Sequence, residues 1–229
     1  MKKFVIVIVS VVITMSVSAQ NLFVHSKEGA TLLYAKMNAK GKVEGYKHET
    51  IQKVENLDNV LNVSFISIFL NKKRKPDRRF PEVHYTVIVS NGVQEWVLRS
   101  LTSPRGKIHI AITGDNIRIP VSLAPGDKLD DINFTALVSN ERFTIGAEMS
   151  FTNRECLTIE DVTVPAGTYR CYKLKHTEVI TAKHRSITDK TSTETILTWY
   201  DHGVDEVKSE NYNTKGKLCT SKVLQVIEE

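Results

Sequence analysis

The sequence predicts a mainly β fold: an antiparallel meander of about twelve strands forming a strongly bent sheet or open barrel. Three observations lead there. From residue 30 onward, short runs rich in Val, Ile, Thr, Tyr and Phe recur about every ten residues, separated by turn residues. No segment sustains the 3.6-residue apolar period of an amphipathic helix. And so many antiparallel strands in one chain curl or close, because a flat sheet that wide is unusual.

The elements follow in order. Residues 31–38 and 43–54 flank Ala39-Lys40-Gly41-Lys42 as a first hairpin, and the turn 56–59 leads to a nearly continuous apolar run over 60–70. After a long basic loop, alternating residues on both sides of Asn91-Gly92 predict a second hairpin, since both turn residues tolerate positive φ. Short runs then flank Gly114-Asp115-Asn116, and Ala124-Pro125-Gly126-Asp127 reads as a turn. Strands are expected over 142–151, 156–164 and 168–180, the last two joined through Pro165-Ala166-Gly167, where Pro presets φ and Gly permits positive φ. The stretch 183–195 is long enough for a short helix, but its many Thr residues favour a strand or exposed loop. Residues 204–212 and 217–227 form the last hairpin around Asn213-Thr214-Lys215-Gly216.

The first nineteen of the 229 residues have the layout of a secretory signal. Lys2 and Lys3 precede an apolar run over 4–13, and Ser16-Val17-Ser18-Ala19 gives a small-residue cleavage region. Cutting is expected after Ala19, leaving a single β-rich domain over 20–229. The run falls short of the roughly 20 apolar residues that span a bilayer. No cysteine near the cut offers a lipid attachment point. The mature chain is therefore expected to be soluble and periplasmic, with no transmembrane span.

Net charge is +5, of which Lys2 and Lys3 contribute two, leaving +3 for the mature chain. That mild balance argues against nucleic acid, which calls for dense basic clusters. The one polarised run is Lys72-Lys73-Arg74-Lys75-Pro76-Asp77-Arg78-Arg79. Its plain reading is a solvated loop kept unpaired by charge, with Pro76 blocking strand pairing. Its functional reading is contact of Lys72, Lys73, Arg74, Lys75, Arg78 and Arg79 with anionic headgroups or an acidic partner.

Catalytic constellations are not visible. Asp201 and His202 are adjacent, but in an extended chain neighbouring side chains point to opposite faces. The same holds for Glu160 and Asp161. No GxSxG elbow or HExxH spacing occurs, and the seven histidines are scattered. Neither cofactor nor metal is expected. Cys156, Cys171 and Cys219 form no CxxC pair and read as small apolar residues, with one disulfide as the alternative.

Two stretches carry a family resemblance. One runs from Ile159-Glu160-Asp161-Val162-Thr163-Val164-Pro165-Ala166-Gly167 to Thr168-Tyr169-Arg170-Cys171-Tyr172-Lys173. The other is Trp199-Tyr200-Asp201-His202-Gly203-Val204-Asp205-Glu206-Val207-Lys208-Ser209-Glu210, followed by Gly216-Lys217. Together they resemble the TapB-like exported bacterial β proteins, a family of undefined function similar in architecture to the lipoprotein carriers LolA and LolB. Small or apolar residues are usual there where this chain has Asp201, His202 and Asp205. The resemblance implies a bent sheet and the envelope compartment, and brings no catalytic residues. The expected function is non-enzymatic: a periplasmic carrier holding an apolar or lipid-like ligand on the concave face of the sheet. The alternatives are an envelope protein-interaction module with a filled core, and a hydrolase using Asp201 and His202.

Overall fold

A computed structural model describes residues 22–229 except 78, 81, 98–99, 103–108, 140–143 and 185–186, so the expected signal segment and Arg78 lie outside the described residues. Every regular element among the described residues is a strand. The first group is β1 (Thr31–Asn38), β2 (Val43–Leu57), β3 (Val60–Asn71), β4 (Val83–Ser90) and β5 (Val93–Val97). Four short strands follow: β6 (Ser100–Thr102), β7 (His109–Gly114), β8 (Ile117–Pro120) and β9 (Ile132–Ser139). The chain ends with β10 (Thr144–Val164), β11 (Gly167–His184), β12 (Ile187–Asp201), β13 (Asp205–Asn213) and β14 (Leu218–Glu228).

All fourteen strands form one sheet, in the order β6-β7-β9-β10-β11-β12-β13-β14-β1-β2-β3-β4-β5-β8. Every pairing is antiparallel, and the sheet is not closed into a barrel. The expected bent antiparallel sheet is therefore present, with fourteen strands in place of about twelve. The runs expected as separate strands over 142–151 and 156–164 are one strand, β10. Its register shifts between Thr152 and Glu155, where Asn153 takes a left-handed φ of 52°, and again between Cys156 and Thr158. Such bulges bend a strand without ending it. The described residues of the Thr-rich stretch, 181–184 and 187–195, are also strand. Thr181 and Thr191 share a cross-strand hydroxyl contact of 3.1 Å, a pairing that rewards β structure.

The first and last strands are neighbours. β1 pairs β14 from Thr31 opposite Glu228 to Asn38 opposite Thr220, and this seam joins the two halves. Side chains of one face then converge. Leu32, Ile51, Val63, Phe65, Val87, Val207 and Leu224 are almost fully buried and alternate with more exposed neighbours, as a sheet with one covered face requires. A smaller cluster gathers Phe23, Ile119, Leu123, Cys156 and Leu174. Phe23 is wholly buried and packs edge-on against Tyr172, ring centroids 5.0 Å apart, while Gln94 Nε2 donates to its carbonyl at 2.5 Å.

The sheet's two ends approach across this second cluster. Arg154 on β10, only 7% exposed, donates to the carbonyl of Arg118 on β8 at 2.8 Å and to that of Asp130 at 2.7 Å. One guanidinium thus ties a strand of one wing to the far edge of the other. Arg154→Ala leaves two acceptors without their charged donor, and is expected to cost about 3 kcal/mol. Urea unfolding of the variant, beside Arg154→Lys as a partial rescue, measures it.

Candidate functional site

The inner face is not uniformly apolar. Tyr34 on β1 stands opposite Lys47 on β2 and beside Lys222 on β14, and its ring lies between the two ammonium groups, 5.5 and 5.3 Å from its centroid. Lys47 Nζ sits 2.6 Å from Glu49 Oε1, and Lys222 Nζ sits 2.7 Å from Glu206 Oε2. Tyr85, stacked on Phe65 at 4.9 Å, donates its hydroxyl to Glu49 at 2.6 Å. Glu49 is 2% exposed.

The charges in this layer set one another. Burial opposes the Lys47 charge, but Glu49 and Glu206 outweigh it and hold the ammonium above its ordinary pKa. Burial likewise opposes ionisation of Glu206, and Lys222 with Lys47 overcomes it. Asp205 differs: burial first, then Glu49 and Glu206, push its pKa up and disfavour its ionised form. It also carries a φ of 95°. Two cations against two carboxylates make the layer electrically balanced, which is the condition for keeping charge away from water.

Above this layer the inner face opens as a groove of about 470 Å³ at one rim of the sheet. Lys47 and Lys222 form part of its floor, Phe69, Leu70 and Phe80 give apolar wall, and Lys36, Glu44 and the Arg79–Asp77 pair add charge of both signs. Phe80 packs on Phe69 with centroids 5.1 Å apart. Gly45 lines the groove because nothing larger fits: a Cβ there would lie 2.7 Å from the Leu70 carbonyl oxygen.

The basic run borders this groove. Lys72, Lys73, Arg74 and Lys75 are exposed, Arg74 stacking at 5.0 Å on the Tyr46 ring. Arg79 is paired with Asp77 at 2.6 Å and covers Phe80. The expectation that Pro76 keeps the loop unpaired is corrected. A bridge joins Leu70 to Pro76, and the ladder bonds are made by its neighbours, Asn71 N–H to Lys75 O at 2.8 Å and Asp77 N–H to Phe69 O at 2.8 Å. A proline without an N–H is tolerated there because the bonds fall on either side of it.

Asp201 and His202 have separate partners. His202 Nε2 lies 3.1 Å from the Val121 carbonyl, so that nitrogen carries the proton, and its ring packs 4.3 Å from Phe23. Burial lowers its pKa. Asp201 accepts the Arg170 backbone N–H, while burial raises its carboxyl to about 6. Glu160 accepts from Trp199 Nε1 at 2.7 Å, whereas Asp161 pairs with Arg170 at 3.1 Å. Trp199 itself lies between Lys173 and Lys208, 4.8 and 4.6 Å from its ring. The three thiols are free, Cys156 and Cys171 buried and Cys219 partly exposed. Among the described residues no group of three or more His, Cys, Asp or Glu side chains is placed to hold a metal. No helix among them is long and apolar enough to cross a membrane.

Sequence reasoning did not single out Tyr34, Lys47, Glu49 or Lys222. A lysine within a strand reads as solvent-facing, and the cross-strand partner of Lys222, Glu206 on β13, emerges only from the fold. Lys47 and Glu49 do stand two residues apart and so share a face, which is the one signal the text holds.

Fold and groove together define a one-sheet open-barrel protein with an amphiphilic pocket at its rim. The chain belongs to the DUF3108-like family, whose model matches residues 27–224. Two solved structures are similar. A candidate lipoprotein of Parabacteroides distasonis aligns with a TM-score of 0.74 at 19% identity, over 91% of this chain and 99% of its own. A candidate exported protein of Bacteroides fragilis with a YmcC-like fold aligns with a TM-score of 0.70 at 21% identity, over 91% and 100%. At these identities the likeness is one of fold. No curated protein matches the chain.

Two outcomes are expected. Lys47→Met strands the buried Glu49 and should destabilise by about 3–5 kcal/mol, whereas Lys47→Met with Glu49→Leu should recover most of that loss, read from denaturation midpoints. Asp201 has a folded pKa of about 6 against 3.8 ordinarily, so the folded state holds its proton more tightly. Its contribution is fully present below about pH 3.8 and is lost as pH rises through 6. Asp201→Asn should therefore be more stable than the parent above pH 6 and no different below pH 4, in urea titrations across that range.

Proposed function

We propose that the protein is an exported, non-enzymatic binding protein of the cell envelope that holds an anionic amphiphile in the rim groove. The observation that carries this reading is the groove itself, where Phe69, Leu70 and Phe80 face a floor containing Lys47 and Lys222, with Lys36 beside them. Its volume of about 470 Å³ lies in the ordinary range of small-molecule sites. An acyl chain suits the rings, and a carboxylate or phosphate headgroup suits the ammonium groups.

Export is supported by the signal-like first nineteen residues and by the descriptions of the two similar structures, one a candidate lipoprotein and the other a candidate exported protein. The resemblance to TapB-like proteins and to the LolA and LolB architecture points the same way. The ligand position differs from the sequence expectation. The middle of the concave face is filled by Tyr34, Phe65, Tyr85 and the ion pairs, which leaves room at its rim.

Palmitate is the probe. It should bind the mature protein with one-to-one stoichiometry in native mass spectrometry. Phe80→Ala removes a half-exposed ring and Lys36→Gln an exposed charge, so neither should disturb folding, and each should weaken palmitate at least fivefold. If neither palmitate nor lysophosphatidylglycerol binds, the carrier reading fails and the filled core favours a protein-interaction module.

A further inference from the structure

The text Asn-x-Lys-x-Lys occurs three times: Asn38-Ala39-Lys40-Gly41-Lys42, Asn71-Lys72-Lys73-Arg74-Lys75 and Asn213-Thr214-Lys215-Gly216-Lys217. Each copy folds into the same turn. The Asn Oδ1 accepts two backbone N–H groups, from the residues two and four further on: Lys40 and Lys42 at 3.0 and 3.1 Å, Lys73 and Lys75 at 2.8 and 3.3 Å, Lys215 and Lys217 at 3.0 and 3.1 Å. The fourth residue takes a left-handed φ, 73° at Gly41, 55° at Arg74 and 70° at Gly216. The Asn N–H also donates to the last Lys carbonyl in all three, at 3.0, 2.8 and 3.0 Å.

Sheet topology places the copies together. They close β1–β2 and β13–β14 and end β3, and β13, β14, β1, β2 and β3 are consecutive in the sheet. Asn38 pairs with Thr220 and Gly45 with Asn71, so the three turns stand at one level on one rim. At about 4.8 Å per strand, they form a row some 20 Å long. The turns present Lys40, Lys42, Lys72, Lys73, Arg74, Lys75, Lys215 and Lys217, all exposed. None has a carboxylate partner among the described residues, although eleven other lysine or arginine side chains there are paired with one. Eight cations on one rim of a chain whose net charge is +5 make the molecule strongly polarised.

We infer that this rim is a docking surface for a bilayer rich in anionic lipid. A row of short, rigid turns suits a flat array of headgroups. The turns themselves carry no aromatic residue on which single-stranded bases could stack, which disfavours nucleic acid. Phe80, 47% exposed just beyond the Asn71–Lys75 turn, adds an apolar ring of the kind that buries at the headgroup–acyl boundary. The inference does not depend on the groove holding a ligand. It also extends the anionic contact expected for residues 72–79 to two turns far away in sequence.

The test is co-sedimentation of the mature protein with vesicles of phosphatidylcholine containing 30% phosphatidylglycerol, against vesicles of phosphatidylcholine alone. Binding should require phosphatidylglycerol and disappear by about 0.5 M NaCl, where screening is short-ranged. Each neutralised lysine should weaken it about fivefold. The variant Lys40→Gln, Lys42→Gln, Lys215→Gln, Lys217→Gln keeps every turn Asn and leaves residues 72–79 intact, and should lose at least a hundredfold. A circular-dichroism melt matching the parent establishes that this variant is folded. Equal binding to both vesicle types, no binding to either, or undiminished binding by that variant overturns the proposal, as does capture by a soluble polyanion with no vesicle binding.

Discussion

The balanced ionic layer around Tyr34 is the constraint on which the interior depends. Lys47 with Glu49 and Lys222 with Glu206 close over the apolar packing of Phe65, Ile51 and Leu224 and separate it from the rim groove. Below it the inner face is closely packed and largely apolar. Above it the sheet is wide enough to leave a groove of about 470 Å³. Burial and the neighbouring carboxylates Glu49 and Glu206 disfavour ionisation of Asp205, which limits the negative charge it adds to the layer. Such pairs are weak sources of stability compared with apolar isosteres. Their value here is positional, because a one-residue slip of β2 would carry both Lys47 and Glu49 to the opposite face.

Much of the fold was legible because it is local. The hairpins at Asn91-Gly92 and Asn213 to Gly216, and the strands flanking them, are written in turn chemistry and alternation. Two errors shared a cause. The split of β10 and the unpaired loop at Pro76 both treated an irregular residue as a stop. In fact Asn153 takes a left-handed φ within a continuing strand, and Pro76 sits between two ladder bonds. The seam between β1 and β14 is non-local, and no short-range pattern encodes it.

The site was less legible for a related reason. Its members come from β1, β2, β3, β13 and β14, and what unites them is strand order. Reading the basic run alone found four of the eight rim cations that the three turns present. The others were hidden in hairpins that looked ordinary one at a time, although the recurring Asn-x-Lys-x-Lys text was available. Asp201 and His202 drew notice as neighbours, yet the turn gives them to different partners, the Arg170 backbone and the Val121 carbonyl.

The seam bears on how the chain acquires its structure. Thr31 meets Glu228 across it, so the central pairing of the sheet is among the most distant in sequence, and such contacts fold slowly. Until β14 arrives, β1 is a bare edge carrying Leu32, Leu33 and Tyr34, the kind of edge that recruits other chains. In the finished molecule the strands at the two ends of the sheet are instead β6 and β8, among the described residues three and four residues long, which offer little length for pairing. Order of assembly, more than final stability, is therefore where this architecture is exposed to aggregation, and a chain cut short within its last strand would keep that hazard permanently.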